Sequence, residues 1–158
     1  MPMAAKIRFT SFVEAGERSH LAALVFFNAS QNRVINGIID AIEKFGPPEI
    51  VEEHGKLRVR VNGNAEAQSL FAVDAASGRP LGIAVYVRAD LESMAVLHLG
   101  VAEEFAAGGA RSGEHLLIRL LRELRRCGRR LKGVRRMEVV YLAGRNGARG
   151  RSSTRKAF

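Results

Sequence analysis

The sequence predicts an α+β domain in which helices flank a mixed, mostly antiparallel sheet. Three observations carry that expectation. Apolar residues recur at three- and four-residue steps toward both ends of the chain, within 32–45 and 116–131, the period of a helix with one buried face. Between them, residues 56–101 change to short alternating or wholly apolar runs separated by turn-forming residues, as in a strand meander. The apolar run 94–101 is then followed by a Gly-rich loop, a helix and another apolar run, which is the arrangement of a parallel crossover.

Taken in order, Lys6-Ile7-Arg8-Phe9 alternates and predicts a short first strand. Residues 20–27 are apolar on most sides and follow Glu14, Glu17 and Ser19, predicting a buried helix over 14–29. Val34, Ile35, Ile38, Ile39, Ile42 and Phe45 form the stripe of an amphipathic helix over 32–45, which Gly46-Pro47-Pro48 stops because proline has no N–H to donate. Leu57, Val59 and Val61 alternate with Arg58 and Arg60 as a half-exposed strand, and Asn62-Gly63-Asn64 is turn material. Strands over 69–73 and 80–88 enclose a hairpin loop at 74–79. The run 94–101 contains Ala95, Val96, Leu97 and Leu99 and predicts a central strand buried on both faces. Leu116, Leu117, Leu120, Leu121 and Leu124 mark a helix over 113–130, Gly133 breaks it, and 134–142 predicts a last strand. From residue 143 the chain is Gly, Arg, Ser and Asn without an apolar period, predicting a single domain over 1–142 and a disordered basic tail over 143–158.

Composition narrows the function classes. The chain has 158 residues, 47% of them hydrophobic, enough for one real core. Its single cysteine, Cys127, excludes a disulfide framework, and no two histidines share a helix face or hairpin with a carboxylate, so no metal site is expected. No run reaches the length of a membrane span, and the first residues lack the apolar core of a secretory signal, so the expected location is the cytoplasm. Charge is divided sharply. Residues 1–110 carry 10 Lys/Arg against 13 Asp/Glu, whereas residues 111–158 carry 15 against 3. A basic final third of this strength points to an anionic partner. A Walker A reading of Gly108 to Gly113 fails because Glu114 stands where the motif has lysine, and Ala110 breaks the Gly-x-Gly-x-x-Gly pattern.

The segment 94–101, the acidic pair Glu103-Glu104, Phe105, the Gly-rich loop and Gly113-Glu-His-Leu-Leu117 together resemble the acetyl-CoA-binding segment of the GNAT N-acetyltransferases. The upstream runs 69–74 and 78–85 are similar to the two strands that precede it in that family. The resemblance spans most of residues 6–142 and implies acetyl transfer from acetyl-CoA to an amine. It implies that Gly109, Arg111, Ser112 and Gly113 form the end of the phosphate loop, and that the backbone of Leu99 and Val101 meets the pantetheine arm. The three positions that the family loop marks fall on Gly108, Arg111 and Gly113, and of these the last matches. The resemblance accommodates no strand at 56–61.

Candidate catalytic groups follow from position. His98 lies in the central strand, and Glu103 and Glu104 follow it, where an imidazole or carboxylate can take a proton from an attacking amine. Arg119, Arg122, Arg126, Arg129 and Arg130 fall along one side of the basic helix, opposite its leucines. That patch supports an alternative reading: a catalytically inactive scaffold of the same fold that binds nucleic acid or an acidic protein. A third reading is an interaction protein that completes its truncated sheet with a second copy, as a homodimer.

Overall fold

The computed structural model describes residues 6–26, 47–61, 66–106, 108–139 and 154–157. Its strands are β1 (Ile7–Thr10), β2 (Val13–Glu14), β3 (Pro48–Glu53), β4 (Lys56–Val61), β5 (Gln68–Asp74), β6 (Pro80–Arg88), β7 (Ser93–Val101), β8 (Arg136–Val139) and β9 (Thr154–Ala157). Helix α1 (Arg18–Phe26) follows a 3-10 turn at Ala15–Glu17, and helix α2 (Leu116–Arg129) follows 3-10 turns at Glu103–Phe105 and Ser112–Glu114.

The main sheet has six strands in the order β1-β5-β6-β7-β8-β9. Every neighbouring pair is antiparallel except β7 and β8, which run parallel because α2 carries the chain back across the sheet between them. This is the predicted α+β class, and the parallel crossover sits where the sequence places it. A second sheet, β2-β4-β3, stacks on one face of the first.

The two faces of the main sheet carry separate cores. On one, Leu116, Leu120 and Leu124 of α2 pack on Ala72, Ala84, Met94, Val96, Leu99 and Val101. Gly82 lies directly under this helix, since a Cβ added there would stand 3.5 Å from both Leu116 and Leu120. On the other face, Leu21, Leu24 and Val25 of α1 join Leu57, Val59 and Val61 of β4 over Phe71, Val73, Ile83, Val85, Ala95 and Leu97. Two-sided burial explains why β5, β6 and β7 read as apolar runs rather than alternating ones.

Several expectations change. The helix expected at 14–29 begins at Arg18, after β2 and a 3-10 turn, and is described to Phe26. The helix expected at 32–45 lies outside the described residues. Strand 56–61 forms as expected, but in the second sheet and paired with β3, for which the sequence gave no signal. Pro47-Pro48 reads as a helix stop, yet Pro48 is the first residue of β3, a strand position that tolerates a missing N–H. The acidic β3 is matched by a basic β4: Arg60 donates to Glu49 at 2.6 Å and Arg58 to Glu53 at 3.2 Å. The tail expected to be disordered contains β9, which pairs antiparallel with β8 from Arg136↔Ala157 to Val139↔Thr154. Backbone bonds define this strand, which is why hydropathy does not reveal it. Residues 140–153 and 158 lie outside the described residues. With β9 in place, the outer edge of β8 is covered by the same chain, and the edges of the sheet are β1 and β9.

Candidate functional site

The site is built around the end of β7. Its register with β6 shifts between Val85↔His98 and Tyr86↔Val96, which leaves Leu97 as an extra residue on β7. Among the described residues the parallel pairing of β7 with β8 runs from Ser93↔Arg136 to Val96↔Val139. β7 continues to Val101 and leads into the loop before α2.

The loop is folded tightly on itself. The N–H groups of Ala106, Gly109, Arg111, Ser112, Glu114 and His115 all donate to carbonyls within 103–112. Gly109 is the tightest point, since a Cβ there would lie 2.4 Å from the Glu103 carbonyl oxygen and 2.5 Å from that of Glu104. Gly113, by contrast, faces open space. His115 adopts the left-handed conformation (φ 51°), turning the chain from the second 3-10 turn into α2. The first bond from helix to cap is Arg119 N–H to His115 C=O at 3.0 Å, so the N–H groups of Leu116, Leu117 and Ile118 precede it.

Charge in the loop is locally compensated. Arg111 donates to both carboxylate oxygens of Glu114, at 2.5 and 3.0 Å, and its guanidinium lies 4.3 Å from the centre of the Phe105 ring. That bond holds the Glu114 carboxyl below its usual range and raises Arg111 further. Arg79 is paired with Glu104. Asp74 is held low by the N–H groups of Ala76 and Ser77, with Arg79 and Arg111 adding to the effect.

Beside this network a cleft of about 280 Å3 opens, lined by His20, Ala23 and Leu24 of α1, Arg79 and Pro80 at the start of β6, and Ala102, Glu103 and Glu104 after β7. Two of the three expected catalytic groups, Glu103 and Glu104, line it. His98 does not. It is 4% exposed, and its register partner Val85 places it on the α1 face of the sheet. Burial lowers its pKa from 6.5 to about 4, so the ring is uncharged at neutral pH. The cleft brings in two groups not selected from the sequence, His20 and Arg79. The His20 ring meets the Glu17 carboxylate at 2.6 Å, a pair three residues apart at the start of α1. The Glu17–His20 spacing was visible in the chain, whereas the approach of Arg79 depends on the β5–β6 hairpin.

The expected cofactor-contact residues are brought together in part. Leu99 and Val101 are buried on the α2 face. Arg111, Ser112 and Gly113 lie in the last turn before α2, while Gly109 serves to let the loop close on the 3-10 turn at Glu103–Phe105. Among the described residues no group of three or more His, Cys, Asp or Glu is placed to hold a metal, and no helix is long and apolar enough to cross a membrane.

No family model matches the chain, and no curated protein does. Among solved structures it is similar to an acetyltransferase from Streptococcus agalactiae (14% identity, TM-score 0.49, covering 84% of this chain and 71% of that one). It is also similar to a protein assigned to the GNAT acetyltransferases from Desulfovibrio desulfuricans (18%, TM-score 0.45, 86% and 72%). An IAA acetyltransferase from Bacillus cereus is a third (14%, TM-score 0.40, 85% and 65%). The single parallel pair agrees with the parallel crossover expected from the sequence.

Proposed function

We propose that the chain is a GNAT-type acyltransferase that takes an acetyl group from acetyl-CoA to an amine. The observation that carries this reading is the one-residue bulge at Leu97 of β7, just ahead of the loop into α2. A bulge breaks the regular ladder along β7, where an extended chain can meet free backbone groups, and the start of α2 offers N–H groups to a pyrophosphate. The residues fit that group in part. Gly113 stands in open space beside Leu116, Leu117 and Ile118, while the Arg111 guanidinium is engaged by Glu114. Acetyl-CoA supplies an activated acyl carbon. The chain supplies the surroundings: the cleft beside Glu103 holds the amine, and the Glu103 carboxylate or the His20 imidazole, steadied by Glu17, accepts its proton. Glu104 is held by Arg79 and serves to position the wall of the cleft.

The Arg111–Glu114 pair favours a second reading, in which the same scaffold has lost the activity because its loop neutralises itself. Thermal melting with acetyl-CoA and with CoA separates the two. A ligand at 100 times its Kd stabilises by about 2.7 kcal/mol, and no shift with either compound would remove the transferase reading. Glu114→Gln frees Arg111 and is expected to tighten acetyl-CoA binding, while Arg111→Ala weakens it. Calorimetric titration of the two variants reads the opposite signs.

A further inference from the structure

The outer face of α2 takes no part in the cleft. Between Leu116 and Arg136 the chain carries nine Arg/Lys and one acid, Glu123. Glu123 is bonded to Arg126 at 3.1 Å, and Arg136 to Glu92 at 3.1 Å. Arg122, Arg129, Arg130, Lys132 and Arg135 are exposed, and none of their side chains has a hydrogen bond or ion pair within the described residues. At about 100° per residue, Arg122, Arg126, Arg129 and Arg130 fall within a ~100° arc opposite the buried leucines. At about 1.5 Å per residue they span about 12 Å of the helix axis.

We infer that this face of α2 is a binding surface for the phosphate backbone of a nucleic-acid duplex. Three features select that partner. The cations of the stripe are all arginine, whose planar fork meets phosphate oxygens in pairs. About 12 Å holds three to four phosphates of one strand at about 3.4 Å each, so the four arginines match the charge they face. No Phe, Tyr or Trp occurs from residue 106 to 140, so this surface has no aromatic ring to stack on an unpaired base. A duplex offers phosphates without requiring stacking, so the expected binding is independent of base sequence. Five further cations follow residue 142, at Arg145, Arg149, Arg151, Arg155 and Lys156, and extend the positive character of the same end of the chain. Anionic vesicles fit less well, because the outward arc between Arg122 and Arg130 carries guanidinium groups where a membrane-surface helix carries apolar side chains. The inference does not rest on the acetyl-transfer reading.

The test is fluorescence anisotropy of the full chain with a labelled duplex of about 20 base pairs, in DNA and RNA forms and over a salt series. Arg122→Gln/Arg126→Gln/Arg129→Gln is expected to weaken binding about tenfold or more at low salt, and to lower the slope of log K against log salt by about 2 to 3. Arg18→Gln/Arg58→Gln/Arg60→Gln removes the same net charge from the opposite face and is expected to keep most of the affinity. Circular dichroism confirms that both variants fold, and Arg129→Gln/Arg130→Gln repeats the comparison if the first does not. The proposal is overturned by no salt-dependent duplex binding, by equal losses in the two triple variants, or by preference for phosphatidylserine vesicles or polyglutamate over the duplex. Binding that persists when acetyl-CoA has no effect upholds it while the transferase reading falls.

Discussion

Helices α1 and α2 lie on opposite faces of one sheet, and each is anchored by fully buried leucines: Leu21 in one, Leu116, Leu120 and Leu124 in the other. Their outer surfaces differ. On α1 the charges find partners close by, Arg18 with Glu52 at 3.4 Å and His20 with Glu17 at 2.6 Å, and the helix borders the cleft. On α2, Arg122, Arg129 and Arg130 find none within the described residues. Two helices with the same task inward thus have different tasks outward. The first helps to shape a pocket within the molecule, while the second holds charge that costs stability and gains value only from something outside.

The largest effect expected is at the shared task. Leu120→Ala and Leu21→Ala each remove a side chain with no exposed surface and are expected to cost about 2–5 kcal/mol in urea unfolding. Near-neutrality of either would mean that its helix is not a structural member of the sheet.

Next is acid sensitivity on the α1 face. His98 has a folded pKa of about 4 against 6.5 for the free ring, so between these values the unfolded chain binds more protons. Stability therefore rises with pH through this window and is lost on acidification, by about 2–3 kcal/mol from pH 7 to 4.5. His98→Leu should lose less than the parent chain over the same interval, and an unchanged difference would place His98 in a wetter site.

Gly109→Ala drives a Cβ into two carbonyl oxygens and is expected to cost on the order of 2 kcal/mol, while Gly113→Ala meets open space and stays within about 0.5 kcal/mol. Equal melting temperatures for the two would contradict the described loop.

The smallest effect separates the outer faces directly. Arg122→Glu relieves like-charge pairs with Arg119, Arg125 and Arg126 and is expected to stabilise by about 0.5–1 kcal/mol at low salt. Arg18→Glu removes a partner of Glu52 and destabilises slightly. Both changes fade as salt rises. Matching signs would end the contrast between the helices.

Much of the fold was legible because burial wrote it into the side chains. The leucine stripe of α2 and the apolar runs of β5, β6 and β7 need no partner to be recognised. β3 was not legible, since Glu49 and Glu53 pair with Arg60 and Arg58 of a strand that only the folded chain brings alongside. β9 was hidden for a related reason, being defined by backbone pairing. At the site, Glu103 and Glu104 were found by their place after the central strand. His98 stood in the same neighbourhood by sequence but on the buried α1 face by structure, a distinction made by one bulge. The engagement of Arg111 by Glu114 was within reach at three residues' separation, but the turn that brings the two together was not.

The extra residue in β7 has a consequence for how the chain tolerates change. Met94 and Val96 before it, and Leu99 and Val101 after it, all reach the α2 core, although an uninterrupted strand would have sent 98 and 100 there. Leu97 acts as a half-step that resets the phase of the strand. Straightening the bulge with every residue kept would exchange inside for outside downstream, turning His98 and Gly100 toward α2 and Leu99 and Val101 away from it, whereas deleting Leu97 would restore plain alternation and leave Leu99 and Val101 facing α2. The end of β7 is thus a place where the loss of one residue keeps the phase of the strand, while the loss of the bulge alone inverts it.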